Sequence, residues 1–151
     1  MRRSSLVRAV VDTNVLFSGL ISKRGAPFEV IELWRAGRLQ LVASEAITAE
    51  YQRVLARPAF TTRFAFSEAA IEAVLGQLRE AESVIVESSF DIPTQCRDPK
   101  DQMYLVAAVA GAVQFLVSGD DDILACAGDP GLGSVQIVRP REFLQWVTER
   151  P

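Results

Sequence analysis

The chain of 151 residues contains no histidine. That absence removes Ser-His-Asp and Cys-His nucleophilic sites, His-ligated zinc and imidazole acid–base catalysis. Any chemistry must therefore run on carboxylates, hydroxyls, Lys or Arg, or on a metal held by oxygen. Cysteine is scarce as well. Cys96 and Cys126 lie in no metal-like spacing and are expected as free thiols of a cytoplasmic protein. No run approaches the ~18 uninterrupted apolar residues of a membrane span. The basic start, Met1-Arg2-Arg3-Ser4-Ser5, precedes an apolar run too short for a secretory signal. Basic charge is not in excess either. A net charge of -3 argues against a protein that coats nucleic acid by bulk electrostatics, while leaving room for a local basic patch beside an acidic site.

What is present is enough apolar material for a full core, with no internal repeat or low-complexity tract, so residues 1–151 are expected to form a single domain. Strand-like and helix-like segments alternate. Residues 6–11, 39–43, 113–117 and 135–138 read as strands, with 83–86 as a strand or its remnant. The first is apolar on both faces, as a central parallel strand would be. Between them lie helical patterns. A short one surrounds Val15, Leu16, Phe17 and Leu20, and one begins near Pro27. Another runs from an N-cap at Ser44 to a stop at Pro58, and a fourth covers 68–82 behind Ser67. A nearly all-apolar helix covers 103–112, a short one 123–127, and a last one starts at Pro140. This alternation predicts a three-layer α/β/α sandwich with a central, mainly parallel sheet of four or five strands. Trp34, Phe64 and Phe66 are expected in the core.

The stretch Arg8-Ala9-Val10-Val11-Asp12-Thr13-Asn14 organises the rest, because a β-branched run delivers one aspartate to the end of a strand. Ligands gather beyond the carboxyl ends of strands in open parallel sheets. The bland alternative is that Asp12 merely caps the next helix. A second strand, 113–117, delivers Asp120, Asp121 and Asp122 to its own C-terminal end. One of these would cap the short helix, leaving at least one without a structural role. Asp98 before Pro99 is a helix-start signal. Asp101 shares a face with Leu105 and Ala108 of the buried helix, beyond what one capping acid requires. On the 44–57 helix, Ile47, Tyr51, Val54 and Leu55 form the apolar stripe. Glu50 flanks that stripe and is expected to point inward, against the alternative of a surface pair with Arg53 or Arg57; Glu45 falls on the far side. Carboxylates converging on one crevice raise one another's pKa, and a hard cation such as Mg²⁺ or Mn²⁺ relieves that repulsion. One or two such ions suffice for phosphodiester hydrolysis without histidine.

Four motifs, Val-Val-Asp12-Thr13-Asn14-Val-Leu, Glu50 in Glu-Tyr-Gln-Arg-Val-Leu, Arg-Asp-Pro-Lys-Asp101 and Val-Ser118-Gly119-Asp120, resemble the ordered acidic motifs of PIN-domain ribonucleases. The resemblance is nearest to the small toxin components related to VapC and covers residues 8–147. It implies metal-dependent cleavage of single-stranded or loop RNA, a homodimer, and inhibition by a small antitoxin protein. It also implies Asp12, Glu50, Asp101 and Asp120 as catalytic metal ligands, with Thr13, Asn14 and Ser118 supporting them through hydrogen bonds. Asp122 competes with Asp120 for the last ligand position, and Asp98 is an outer candidate. Arg53, Arg57, Lys23, Arg24 and Arg63 are candidate RNA contacts. The main rival is a PIN-like fold serving as a non-catalytic binding or assembly module. A dehalogenase-like phosphatase would need an acid where Asn14 stands. A phosphoacceptor receiver would need a late-strand lysine, and neither Lys23 nor Lys100 is so placed.

Overall fold

The computed structural model describes residues 6–57, 68–78, 83–86 and 91–149. In chain order the elements are β1 (Val7–Val11), α1 (Thr13–Ile21), α2 (Ala26–Arg35), β2 (Leu39–Ala43), α3 (Glu45–Leu55), α4 (Glu68–Leu78), β3 (Ser83–Ile85), α5 (Gln102–Ala110), β4 (Phe115–Val117), α6 (Asp121–Leu124), β5 (Gln136–Val138) and α7 (Pro140–Glu149). Single 3₁₀ turns at Pro99–Asp101 and Pro130–Leu132 precede α5 and β5. The segment 83–86 proves to be a full member of the sheet. Pro58, Phe60, Arg63, Phe64, Phe66 and Ser67, to which the sequence assigns a helix stop, a core role, an RNA contact or a cap, lie outside the described residues, as does the end of the helix expected to reach 82.

The five strands pair in the order β3-β2-β1-β4-β5, and every pairing is parallel. Strands β1 to β3 progress toward one edge, and β4 and β5 are added on the other side of β1. The direction of winding therefore reverses between β1 and β4, and that reversal opens a crevice at their carboxyl ends. The register sets Val11 beside Val117, so the residues that follow both strands emerge side by side. Asp12 N–H donates to the Val117 carbonyl at 3.1 Å and extends the ladder by one bond into the crevice.

Helices cover both faces of the sheet. α5 packs on β1, β2 and β4, while α2 packs on β2 and on α7, which in turn rests on β4. This is the α/β/α sandwich that the alternation predicts. Ala9, Val10, Val11, Leu116 and Val117 are fully buried, as a sheet covered on two sides requires. Trp34 is in the core, as expected. Phe143 of α7 is buried edge-on to Phe115, with ring centroids 5.4 Å apart. α5 ends, on the way to β4, through a left-handed Ala112 (φ 48°), whose N–H bonds the Val109 carbonyl while Val113 N–H reaches the Ala108 carbonyl. That pair of bonds normally favours glycine at the position Ala112 occupies.

No helix among the described residues is long and apolar enough to cross a membrane. Both cysteines are buried free thiols.

Candidate active site

Asp12 is 2% exposed, and its carboxylate is held from three directions. Oδ1 accepts the N–H groups of Asn14 (2.7 Å) and Val15 (3.1 Å), so Asp12 does cap α1. Oδ2 accepts a short hydrogen bond from the Ser118 hydroxyl, which reaches across from the end of β4. Burial raises the Asp12 pKa, the three hydrogen bonds oppose the rise, and the nearby charge of Asp120 adds to it. A carboxylate offers about four lone-pair positions, and three are taken. One acceptor position on Oδ2 is left, so capping and ligation are compatible in this side chain.

Ser118 is fully buried and ties the two strand ends together. While its hydroxyl donates to Asp12, its oxygen accepts the Asp120 N–H at 3.0 Å. Asp120 caps α6 through Oδ1, accepting from Asp122 N–H at 2.8 Å and Ile123 N–H at 3.4 Å. The expectation that one acid of the triplet lacks a structural partner does not hold. Asp121 faces Arg139 at 3.5 Å, and Asp122 pairs with Arg97 at 3.2 Å.

Asp98 caps the 3₁₀ turn before α5 by accepting Lys100 N–H at 3.0 Å. Asp101 sits at the junction of that turn with α5 and makes no capping hydrogen bond. One acid thus meets the needs of the helix start, and the other carboxylate is free for the crevice. Gln102 pins the adjoining loop, its side chain accepting Cys96 N–H at 2.7 Å and donating to the Thr94 carbonyl at 2.9 Å. Burial pushes the Asp101 pKa up from 3.8 to about 6, helped by the charges of Asp120, Asp98, Asp12 and Asp122.

Glu50 meets both of its alternatives at once. Its carboxylate pairs with Arg53 through contacts of 2.8 to 3.0 Å, and it also lines a cavity of about 150 Å³ together with Asp12, Asp101 and Asp120. Asn14, Arg57 and Tyr104 share that lining. Four carboxylates from four separate segments therefore border one small space. Glu45 is exposed on the opposite side of α3.

The carboxylate oxygens that approach most compactly among the described residues belong to Asp98, Asp101 and Asp122, all within 4.8 Å of one another. Asp101 is common to this trio and to the cavity. An all-oxygen donor set of crowded carboxylates, one with its pKa lifted to about 6, suits a hard divalent cation. Among the described residues no other carboxylate trio meets that spacing, and none that includes Asp12, Glu50 or Asp120 does.

The supporting residues divide. Ser118 bonds Asp12 directly, and Asn14 contributes its backbone N–H while its side chain is exposed. Thr13 acts at one remove, because its hydroxyl bonds the Tyr104 hydroxyl, which also accepts Thr13 N–H at 3.3 Å. Nothing in the motifs singles out Tyr104, although its place one turn after Asp101 on α5 puts both on one face. Burial pushes its pKa up to about 12. Tyr51 reads as packing from its place in the apolar stripe, yet its buried hydroxyl donates to the Val11 carbonyl directly beneath Asp12. Of the basic candidates, Arg57 lines the cavity and Arg53 is spent on Glu50. Lys23 and Arg24 occupy an exposed loop away from the carboxylates' lining.

A comparison with curated proteins finds no match. The family model described as the PIN domain matches residues 8–122, a span that runs from within β1 into the first turn of α6 and holds every carboxylate of the crevice. With more than two thirds of its length matched, and with the acids gathered where the sheet reverses its winding, the chain belongs to the PIN-domain family.

Proposed function

We propose that the protein is a metal-dependent endoribonuclease that hydrolyses RNA phosphodiester bonds at the crevice between β1 and β4. The observation that carries the reading is the convergence of Asp12, Glu50, Asp101 and Asp120, from four separate segments, on one cavity of about 150 Å³. Structural needs explain the caps made by Asp12, Asp98 and Asp120, but none explains why Asp101 is held uncapped among four other acids.

Asp12, Asp101 and Asp120 would hold a Mg²⁺ or Mn²⁺ ion, with Asp98, Asp122 and Glu50 available for a second. Such an ion would lower the pKa of a bound water and offset charge on the phosphate. The chain's own groups do the rest. Ser118 and the α1 backbone fix the Asp12 carboxylate in one orientation. Arg53 clamps Glu50, leaving it facing the cavity as an acceptor that orients the attacking water. The water oxygen bonds to phosphorus as the water gives up a proton to solvent, the bond to the leaving ribose oxygen breaks, and that oxygen takes up a proton from solvent. Arg57 at the cavity wall is placed to meet a phosphate oxygen.

Incubation of the purified protein with single-stranded RNA and Mn²⁺ tests this. Cleavage by the wild type that is lost in both Asp12→Asn and Asp101→Asn supports the reading; equal cleavage by all three means a contaminant. The finer assignment to a toxin with a small antitoxin partner, acting as a homodimer, rests on the likeness of the motifs to VapC-related proteins. It predicts that induced expression arrests host growth only when Asp12 is intact.

A further inference from the structure

We infer that the groove adjoining the carboxylate cavity seats the phosphodiester backbone of the RNA strand, with Arg139 and Arg141 as its phosphate contacts. This rests on the ribonuclease reading and adds where the strand lies. The groove encloses about 620 Å³ between α1, the start of α2, the β4–α6 turn and the start of α7. It shares Asn14 and Asp120 with the cavity of the acids, so the two spaces are continuous. At about 150 Å³ the cavity is sized for a phosphate and its waters, and the flanking nucleotides need the larger space beside it.

Electrostatics requires cations there. A chain of net charge -3 offers a polyanion no bulk attraction, and the crowded carboxylates repel it. Two arginines near the site are already committed, Arg53 to Glu50 and Arg97 to Asp122. Arg141 is not, and Arg139 is held only by its exposed pair with Asp121. Among the described residues Arg141 makes no hydrogen bond or ion pair, and the one carboxylate paired with the Arg139 guanidinium is that of Asp121 at 3.5 Å, itself 88% exposed. An exposed pair of that kind holds a side chain weakly.

The backbone beneath these arginines is fixed. Glu142 accepts Arg139 N–H at 2.9 Å, the Arg139 carbonyl accepts Phe143 N–H at 3.0 Å, and Phe143 is fully buried. Glu142 thus makes the N3 half of a capping box with the Arg139 main chain, which takes nothing from either guanidinium group. A guanidinium fork on a fixed main chain matches phosphate oxygens. The opposite wall is formed by Asn14, Val15, Ser18, Ala26 and Pro27. Both arginines lie beyond residue 122, where the family match ends.

Fluorescence anisotropy of a short labelled oligouridylate, titrated in EDTA over a series of salt concentrations, separates this inference from catalysis. The wild type should bind with a salt-dependent affinity. Arg139→Ala combined with Arg141→Ala should bind roughly tenfold more weakly, with a log–log salt slope shallower by about 1.4, or about 0.7 for each phosphate no longer neutralised. Arg141→Lys should keep the slope, and Arg38→Ala, in a separate groove between α2 and α7, should behave as wild type. An unchanged slope and affinity in the double variant overturns the inference, as does failure of the wild type to bind. Manganese-dependent cleavage abolished in Asp12→Asn is scored separately, so the ribonuclease reading can survive the loss of the groove. Conversely, arginine-dependent binding without cleavage keeps the groove and removes the nuclease.

Discussion

Replacing Asp101 by Asn should stabilise the metal-free protein at neutral pH. A carboxyl whose pKa rises from 3.8 to about 6 on folding binds its proton more tightly in the native state than in the unfolded chain. Its contribution to stability is fully present below the unfolded value and is lost as pH rises through about 6. At pH 7.5 the wild type therefore carries a penalty that Asn, neutral at every pH, does not. The shift would correspond to about 3 kcal/mol if felt in full. Asp101 is partly open to water, and screening reduces this to about 1 kcal/mol. Urea denaturation in EDTA at pH 7.5 and again near pH 4.5 measures it. The midpoint of Asp101→Asn should exceed that of wild type at the higher pH and by a much smaller margin at the lower. Saturating Mn²⁺ should reverse the order, because a ligand at a hundred times its Kd contributes about 2.7 kcal/mol to the form that binds it. A variant less stable than wild type in EDTA at pH 7.5 would refute the reasoning and make Asp101 a structural carboxylate. A gain that does not change with pH would trace the effect to something other than charge.

Three further outcomes follow from local geometry. Ser118→Ala removes the hydroxyl bond to buried Asp12 and the acceptor for Asp120 N–H, and should cost about 2 kcal/mol by urea denaturation while raising the Asp12 pKa further; a cost under ~0.5 kcal/mol would mean that water replaces the hydroxyl. Gly19→Ala sets a methyl 2.6 Å from the Pro27 carbonyl oxygen and nearer still to Ile31, so the α1–α2 packing should weaken by about 1–3 kcal/mol, and an unchanged melting temperature would show that the helices separate freely. Ala112→Gly relieves a left-handed alanine at the end of α5 and should gain roughly 0.5 kcal/mol after the added freedom of the unfolded chain is subtracted; a decrease would mean that the alanine methyl packs usefully.

Much of this arrangement is legible in the residues themselves because the signals are local. Strand β2 falls on the expected residues 39–43, since a short apolar run bounded by Gly37 and Ser44 admits few other readings. The caps at Ser44 and Asp98 are equally local, each a side chain accepting an N–H two or three residues on. Periodicity also places Glu50 at the margin of a buried stripe. It does not foretell that Arg53, one turn later, clamps Glu50 in place while it still borders the cavity. The partners of Asp121 and Asp122 escape the sequence for a related reason. Arg139 and Arg97 are distant along the chain, and spacing carries no information about such pairs.

The sequence by itself excluded imidazole chemistry, because histidine is absent, and it set acids at strand and helix ends. It also determined an α/β alternation, because hydrophobic periodicity is a property of neighbouring residues. Only the tertiary structure decided that β4 inserts beside β1, so that Ser118 bonds to Asp12 across 106 positions of chain and Asp101 takes part of its charge environment from Asp12, Asp120 and Asp122, all distant in sequence. Pairing order and the side-chain distances it creates are set by how the whole core packs. A carboxylate pKa depends on those distances and on exclusion of water, neither of which is encoded in any one stretch of residues.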